Sequence, residues 1–308
     1  MRVQVDKPDE DATRRPVGEN MPYGVVLYYW LKEKPKPGEI VKLEIYDGDK
    51  LLRSLSSEKK PKEGDLKEQQ AREELEKDRD KPLPAAAGLN QTIWDMRILR
   101  PVLAPKAVFN EGTKAPPKVA PGTYTARLTA GGQTYEQKFE VRPHPAGFAT
   151  AADLKAQYDL LAAIRDSLSQ THTTVLEIRD IRAQATDLGQ RAERLGKGNS
   201  LSVRAKALAE ELTAVEEKLT NPQIKANEDD LNYEPKLDHD FSDLAGIVSS
   251  ADARPTPASV KYYALLQSKL AAIEAEYRSI VEHDLAAFNA AVEAAKLPPV
   301  APAPKIPD

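Results

Sequence analysis

Apolar and polar positions alternate in short runs as far as the Pro143 to Pro145 stretch, and from there on apolar positions recur every three or four residues. The first pattern is that of strands and the second that of amphipathic helices. From Gly24, Val25, Leu27, Tyr29 and Leu31 fall on one face of a strand, and Val26, Tyr28 and Trp30 fall on the other. Hydrophobicity on both faces suits a central strand, or one covered by a neighbouring module. Val41, Leu43 and Ile45 then alternate with Lys42 and Glu44, and Asp47-Gly48-Asp49 leads into Leu51, Leu52 and Leu55. Asp-Gly supplies the positive φ of a tight hairpin turn. A further strand is expected over 88–97, GLNQTIWDMR. The last hairpin runs from Thr123 to Thr129, turns at Gly131-Gly132 and returns from Thr134 to Val141, with Tyr135, Phe139 and Val141 inward. About six short antiparallel strands predict an immunoglobulin-like β-sandwich.

The second half opens with Thr150-Ala151-Ala152-Asp153, an N-cap followed by an acid that complements the helix dipole. Leu161, Leu168 and Val175 recur every seven residues, as do Ile164, Thr171, Ile178, Ala185 and Ala192. A helix over 151–195 would extend about 67 Å. The stretch from Gly196 to Ser200 makes a turn and a new N-cap, and a second helix is expected over 203–219. An irregular acidic segment, ANEDDLNYEPKLDHD, precedes a modest helix over 241–248. After Pro255 and Pro257 a long helix runs over 258–295, with Leu265, Leu266, Leu270, Ile273, Tyr277, Ile280, Leu285 and Phe288 along one side. Long helices joined by short connections predict an elongated antiparallel three-helix bundle.

The chain thus reads as a multidomain α+β protein. It has an extended lead-in over 1–22, a sandwich over 23–145, a helical bundle over 146–297 and a Pro-rich disordered tail over 298–308. A charged insertion at 57–82 is expected to form a solvated helix on the sandwich, and residues 101–121 an irregular loop. Composition narrows the function classes. The 308 residues carry 44 basic and 48 acidic side chains, interspersed, for a net charge of −4. Nucleic-acid binding requires clustered Lys and Arg, so no such partner is expected. No cysteine occurs, which excludes disulfides, thiolate metal sites and cysteine nucleophiles. No apolar run reaches the roughly 20 residues of a membrane span, and the chain begins with no signal-peptide core, as a fragment of a longer protein would.

Candidate chemistry is sparse. Of the four histidines, His144, His172, His239 and His283, none falls in a metalloprotease spacing. Asp238-His239-Asp240, with Asp229 and Asp230 upstream, is the one run with metal-ligand residue types, and it is weighed against a solvated acidic loop; no metal site and no cofactor is expected. Neither a nucleophile elbow nor a phosphate-cradling glycine loop is present, and the helical carboxylates fall on solvated faces, as Glu210 does four residues after Lys206. No catalytic residue is assigned. Tyr28, Trp30 and Tyr46 are candidates for a ligand-stacking or docking face. Trp94 is expected to be a buried tryptophan, with Asp95 and Arg97 as a structural polar pair beside it.

The order ENMPYGVVLYYWLKE, hairpin, GLNQTIWDMR and PGTYTARLTAGGQTYEQKFEVRPHP resembles the C-terminal region of large bacterial secreted proteins with sortilin-like (VPS10-like) or BNR-repeat β-propellers, often labelled glycosyl hydrolase or sialidase-like. The likeness continues through ADLKAQYDLLAAIRDSLSQ, LNYEPKLDHDFSDLAGIVSSADARPTPASVKYY and HDLAAFNAAV. The resemblance implies a preceding propeller as partner, a secreted, periplasmic or cell-surface location, and any hydrolase residues residing in that propeller, outside this chain. It makes this region a non-catalytic accessory and interaction module, with self-association as a further expectation. The alternative is a carbohydrate- or peptide-binding module.

Overall fold

A computed structural model describes residues 23–58, 81–109, 112–196, 199–226 and 228–296. The lead-in over 1–22, nearly all of the 57–82 insertion and the tail over 298–308 lie outside the described residues. The protein is α+β, and its contacts divide it into two compact units. Unit one comprises residues up to Leu99 together with Pro117–Tyr158, and unit two comprises Arg100–Pro116 and the chain from Asp159 onward.

Unit one is built from two antiparallel sheets. Strand β1 (Val25–Leu31) pairs with β4 (Gly88–Trp94) in a register that sets Val25 opposite Trp94 and Leu31 opposite Gly88. The second sheet has the order β3-β2-β5-β6, from β2 (Lys42–Asp47), β3 (Lys50–Ser56), β5 (Gly122–Ala130) and β6 (Gln133–Val141). The β5–β6 turn places Gly131 at φ 56° and Gly132 at φ 73°, two successive left-handed residues that match the twist of a two-residue hairpin. Gly24 has no freedom either, since a Cβ there would meet the Trp94 carbonyl oxygen at 2.4 Å. The sheets meet through aromatic rings. Trp94 stands edge-on to Tyr124 and to Phe139, with centroids 6.0 and 5.9 Å away, and Leu43, Ile45, Leu52 and Ile98 complete the core.

Two sequence expectations shift in this unit. Strand β4 stops at Trp94 rather than Arg97, because Met96 adopts φ 63° and the chain turns. Tyr135 lies on the same side of β6 as Phe139 and Val141, but it is exposed: the far end of the β5–β6 hairpin extends past the core.

Unit two gathers its apolar side chains into one cluster shared by α1 (Ala151–Arg194), α2 (Asn199–Leu219), α3 (Leu237–Val248), α4 (Pro257–Ser279) and α5 (Ala286–Ala294). Both seven-residue series on α1 are buried, from Leu161 and Ile164 through to Ala192. Thr150 and Asp153 cap α1 reciprocally: the Asp153 amide donates to Thr150 Oγ1 and the Thr150 amide donates to Asp153 Oδ2, each at 3.1 Å. Gly189 allows α1 and α2 to approach closely, as a Cβ there would meet that of Ala205 at 2.9 Å.

A single π turn, Ile280–Leu285, joins α4 to α5. Its cause is written in the spacing: Ile280 and Leu285 are both buried and five residues apart, a step the α-helix does not provide and one extra residue per turn does. Leu265, expected inward, is exposed, and its neighbour Leu266 takes the buried position. Helix α3 begins four residues before the expected start and has buried side chains nearly all round. Residues 100–116, read from the sequence as part of the strand half, group instead with the helices. Ala104 joins the helical core, Leu103 and Phe109 pack against it, and the Val102 amide donates to Ser169 Oγ of α1 at 3.1 Å.

Candidate functional site

Alternation along β1 and β4 decides which side chains face solvent. In β1, Tyr29 and Leu31 turn inward while Tyr28 and Trp30 stand 62% and 69% exposed. In β4, Asn90 and Trp94 turn inward while Leu89 and Ile93 stand 66% and 44% exposed. The register sets Trp30 opposite Leu89, Tyr28 opposite Gln91 and Val26 opposite Ile93, so one apolar face spans both strands. Gly88 lies beside the Trp30 indole, where a Cβ would touch the ring at 3.9 Å. Soluble proteins rarely leave several large apolar side chains adjoining on the surface, and such a patch marks a contact surface.

Tyr46 does not join this face. It lies on β2 in the other sheet, half-buried beneath the Arg127 guanidinium, which sits 4.3 Å from the ring centroid. The grouping of Tyr28, Trp30 and Tyr46 is therefore corrected to Tyr28 and Trp30 with Leu89 and Ile93. Sequence alternation within GLNQTIW carried the signal for the last two, but their partner strand was not specified.

Trp94, Asp95 and Arg97 make a tight turn at the end of β4. The Trp94 indole N–H donates to the Arg97 carbonyl at 2.9 Å, Asp95 Oδ1 accepts from the Arg97 amide at 3.0 Å, and Asp95 Oδ2 stands 3.9 Å from Arg97 Nε. The indole partner is thus a main-chain carbonyl of the same turn.

The helical unit holds a second cluster. His172 on α1 and Asp238, His239 and Ser242 on α3 are all buried. His239 Nδ1 lies 3.0 Å from Asp238 Oδ1, and His172 Nε2 lies 3.8 Å from Asp238 Oδ2. Phe109 packs on both imidazoles, with centroids 6.0 Å from His172 and 5.1 Å from His239. The Thr113 amide donates to the Ser242 carbonyl at 3.0 Å. Asp238 and His239, read as part of a solvated acidic loop, are instead interior residues, because α3 starts early enough to turn them inward.

Burial pulls the His172 imidazole down to about 4, against a smaller upward pull from Asp238. For His239, burial is outweighed by the hydrogen bond and charge of Asp238 and by Asp243 and Asp230, and its pKa is raised. Ser242 Oγ hydrogen-bonds to neither imidazole, so this set does not form a Ser-His-Asp relay. Among the described residues no three His, Asp or Glu side chains are arranged to hold a metal ion. No described helix is long and apolar enough to cross a membrane. Comparison with family models, with curated proteins and with solved structures finds no match in any of the three.

Proposed function

We propose that this chain is a non-catalytic interaction region of a larger secreted protein, and that it docks on a partner domain through the β1–β4 face. The observation that carries this reading is the adjoining exposure of Tyr28, Trp30, Leu89 and Ile93 on one side of a two-stranded sheet. Aromatic residues with apolar neighbours are the composition of binding anchors. The partner proposed is a propeller in the parent protein, on the resemblance to the regions that follow sortilin-like or BNR-repeat propellers.

Unit one reads within this proposal as an immunoglobulin-like sandwich. Strands β1 and β4 take the places of B and E, and the order β3-β2-β5-β6 takes the places of C′, C, F and G. Support comes from Tyr124, near the start of β5, whose hydroxyl donates to the Ala120 carbonyl at 2.6 Å, the geometry of a tyrosine corner. The helices of unit two form an elongated antiparallel bundle in the same reading and provide the surface for self-association to a homo-oligomer.

Tryptophan fluorescence tests the proposal, because Trp30 is exposed and Trp94 is buried. Iodide should quench Trp30 in the isolated chain, and adding the separately produced propeller should protect it. A Trp30→Ala variant should weaken binding at least tenfold. Unchanged quenching with the propeller present, or undiminished binding by the variant, refutes docking through this face.

Carbohydrate binding is the second reading, favoured by one feature: the Gln91 amide lies across from Tyr28 and next to Trp30's partner Leu89, so hydrogen-bonding and stacking groups share one surface. Protection of Trp30 by oligosaccharides, without the propeller, would select it.

A further inference from the structure

His172, Asp238 and His239 are ionisable, interior and unused by the docking face. They lie where α1, α3 and residues 102–109 meet, and a single carboxylate serves two imidazoles. Asp238 is committed to His239 through the 3.0 Å contact, and it accepts the His239 amide at 2.8 Å as well. His172 receives no hydrogen bond from any group: both ring nitrogens are buried without a partner, as is His239 Nε2.

The neutral imidazole suits that site, whereas a protonated one would add a second cation to a buried place holding one anion. Arg179 on α1, itself held by Glu216 of α2, opposes a further positive charge. Asp243 and Asp230 act on His239, and Lys106 is the ionisable side chain that residues 102–109 contribute, exposed to solvent. Phe109 packs on both rings from the side of residues 102–109.

We propose that this joint is an acid-sensitive clasp: when His172 takes up a proton, Phe109 and residues 102–109 leave α1 and α3, and the helices remain formed. The covered imidazole binds its proton at about 4 and an uncovered one near its ordinary 6.5, so opening is coupled to proton uptake between those values. His239 has the opposite sign. Its proton is held more firmly in the closed joint, so its loss loosens the clasp at pH above its ordinary value.

Hydrogen–deuterium exchange on the whole chain from pH 7.5 to 4.5, corrected for the intrinsic pH dependence of exchange, tests the clasp. Between about pH 6.5 and 4.5, peptides covering 102–109 should lose protection by up to about tenfold per pH unit, and at every pH they should exchange faster than peptides in 203–219 and 266–277, whose exchange requires the helices themselves to unfold. His172→Gln should flatten that slope, and Phe109→Ala should leave 102–109 unprotected already at pH 7.5. If His172→Gln does not fold, the wild-type imidazole can be followed by nitrogen chemical shift, which should show His172 neutral down to about pH 5. Constant protection of 102–109, exchange of 102–109 no faster than that of the helices, a slope retained in His172→Gln, protection retained in Phe109→Ala, or a native His172 titrating near 6.5 would each overturn the proposal.

Discussion

Trp94 is the residue on which most of unit one converges. Its rings bridge the two sheets against Tyr124 and Phe139, and its indole N–H closes the turn at Arg97. Trp94→Ala should therefore cost about 3–5 kcal/mol, read as a lowered urea midpoint. Asp95→Ala, which removes a long, half-exposed ion pair and the hydrogen bond from the Arg97 amide, should cost only about 1 kcal/mol. His172 adds a pH dependence. The folded chain holds it near 4 while the unfolded chain protonates near 6.5, so below pH 6.5 the unfolded state binds more protons and stability falls until about pH 4. The loss approaches roughly 3 kcal/mol, and denaturation midpoints measured at pH 7 and pH 4 in His172→Gln and in the wild type should isolate it.

At the scale of the element, the long helix α1 depends on its ends and on a charged seam with α2. Thr150→Ala removes half of the reciprocal cap and should cost about 1 kcal/mol, again by urea titration. Buried Glu216 on α2 accepts from Arg179 Nε and Arg182 Nη1 of α1, each at 2.6 Å. Glu216→Ala leaves two partly exposed guanidiniums without their anion and should destabilise the α1–α2 pair by about 1–3 kcal/mol, a loss that Glu216→Gln only partly reduces. The seven-residue series of α1 was legible in the sequence because buried positions on a straight helix repeat. The α3 start was not, since Asp238 and His239 look polar in isolation and are interior only because other elements surround them.

On the scale of the whole molecule, the consequential surface is the β1–β4 face. A double Tyr28→Ser, Trp30→Ser variant should keep the wild-type denaturation midpoint within about 0.5 kcal/mol, since both side chains are exposed, and it should lose partner binding. A large fall in stability would mean that the two residues serve the fold rather than a partner. Residues 100–116 show the limit of reading along the chain: rich in proline and without period, they look like a loop of the strand half, yet Ala104 and Phe109 find their apolar contacts among the helices.

By itself the sequence determined what is periodic and local: the strands of period two, the helices of period near 3.6, the glycine turns at Gly131-Gly132 and the cap at Thr150. The tertiary structure alone decided which strands share a sheet, that Tyr46 parts from Tyr28 and Trp30, and that a histidine on α1 meets an aspartate on α3. Local spacing fixes the direction a side chain takes from its own backbone, but only packing determines what it meets there.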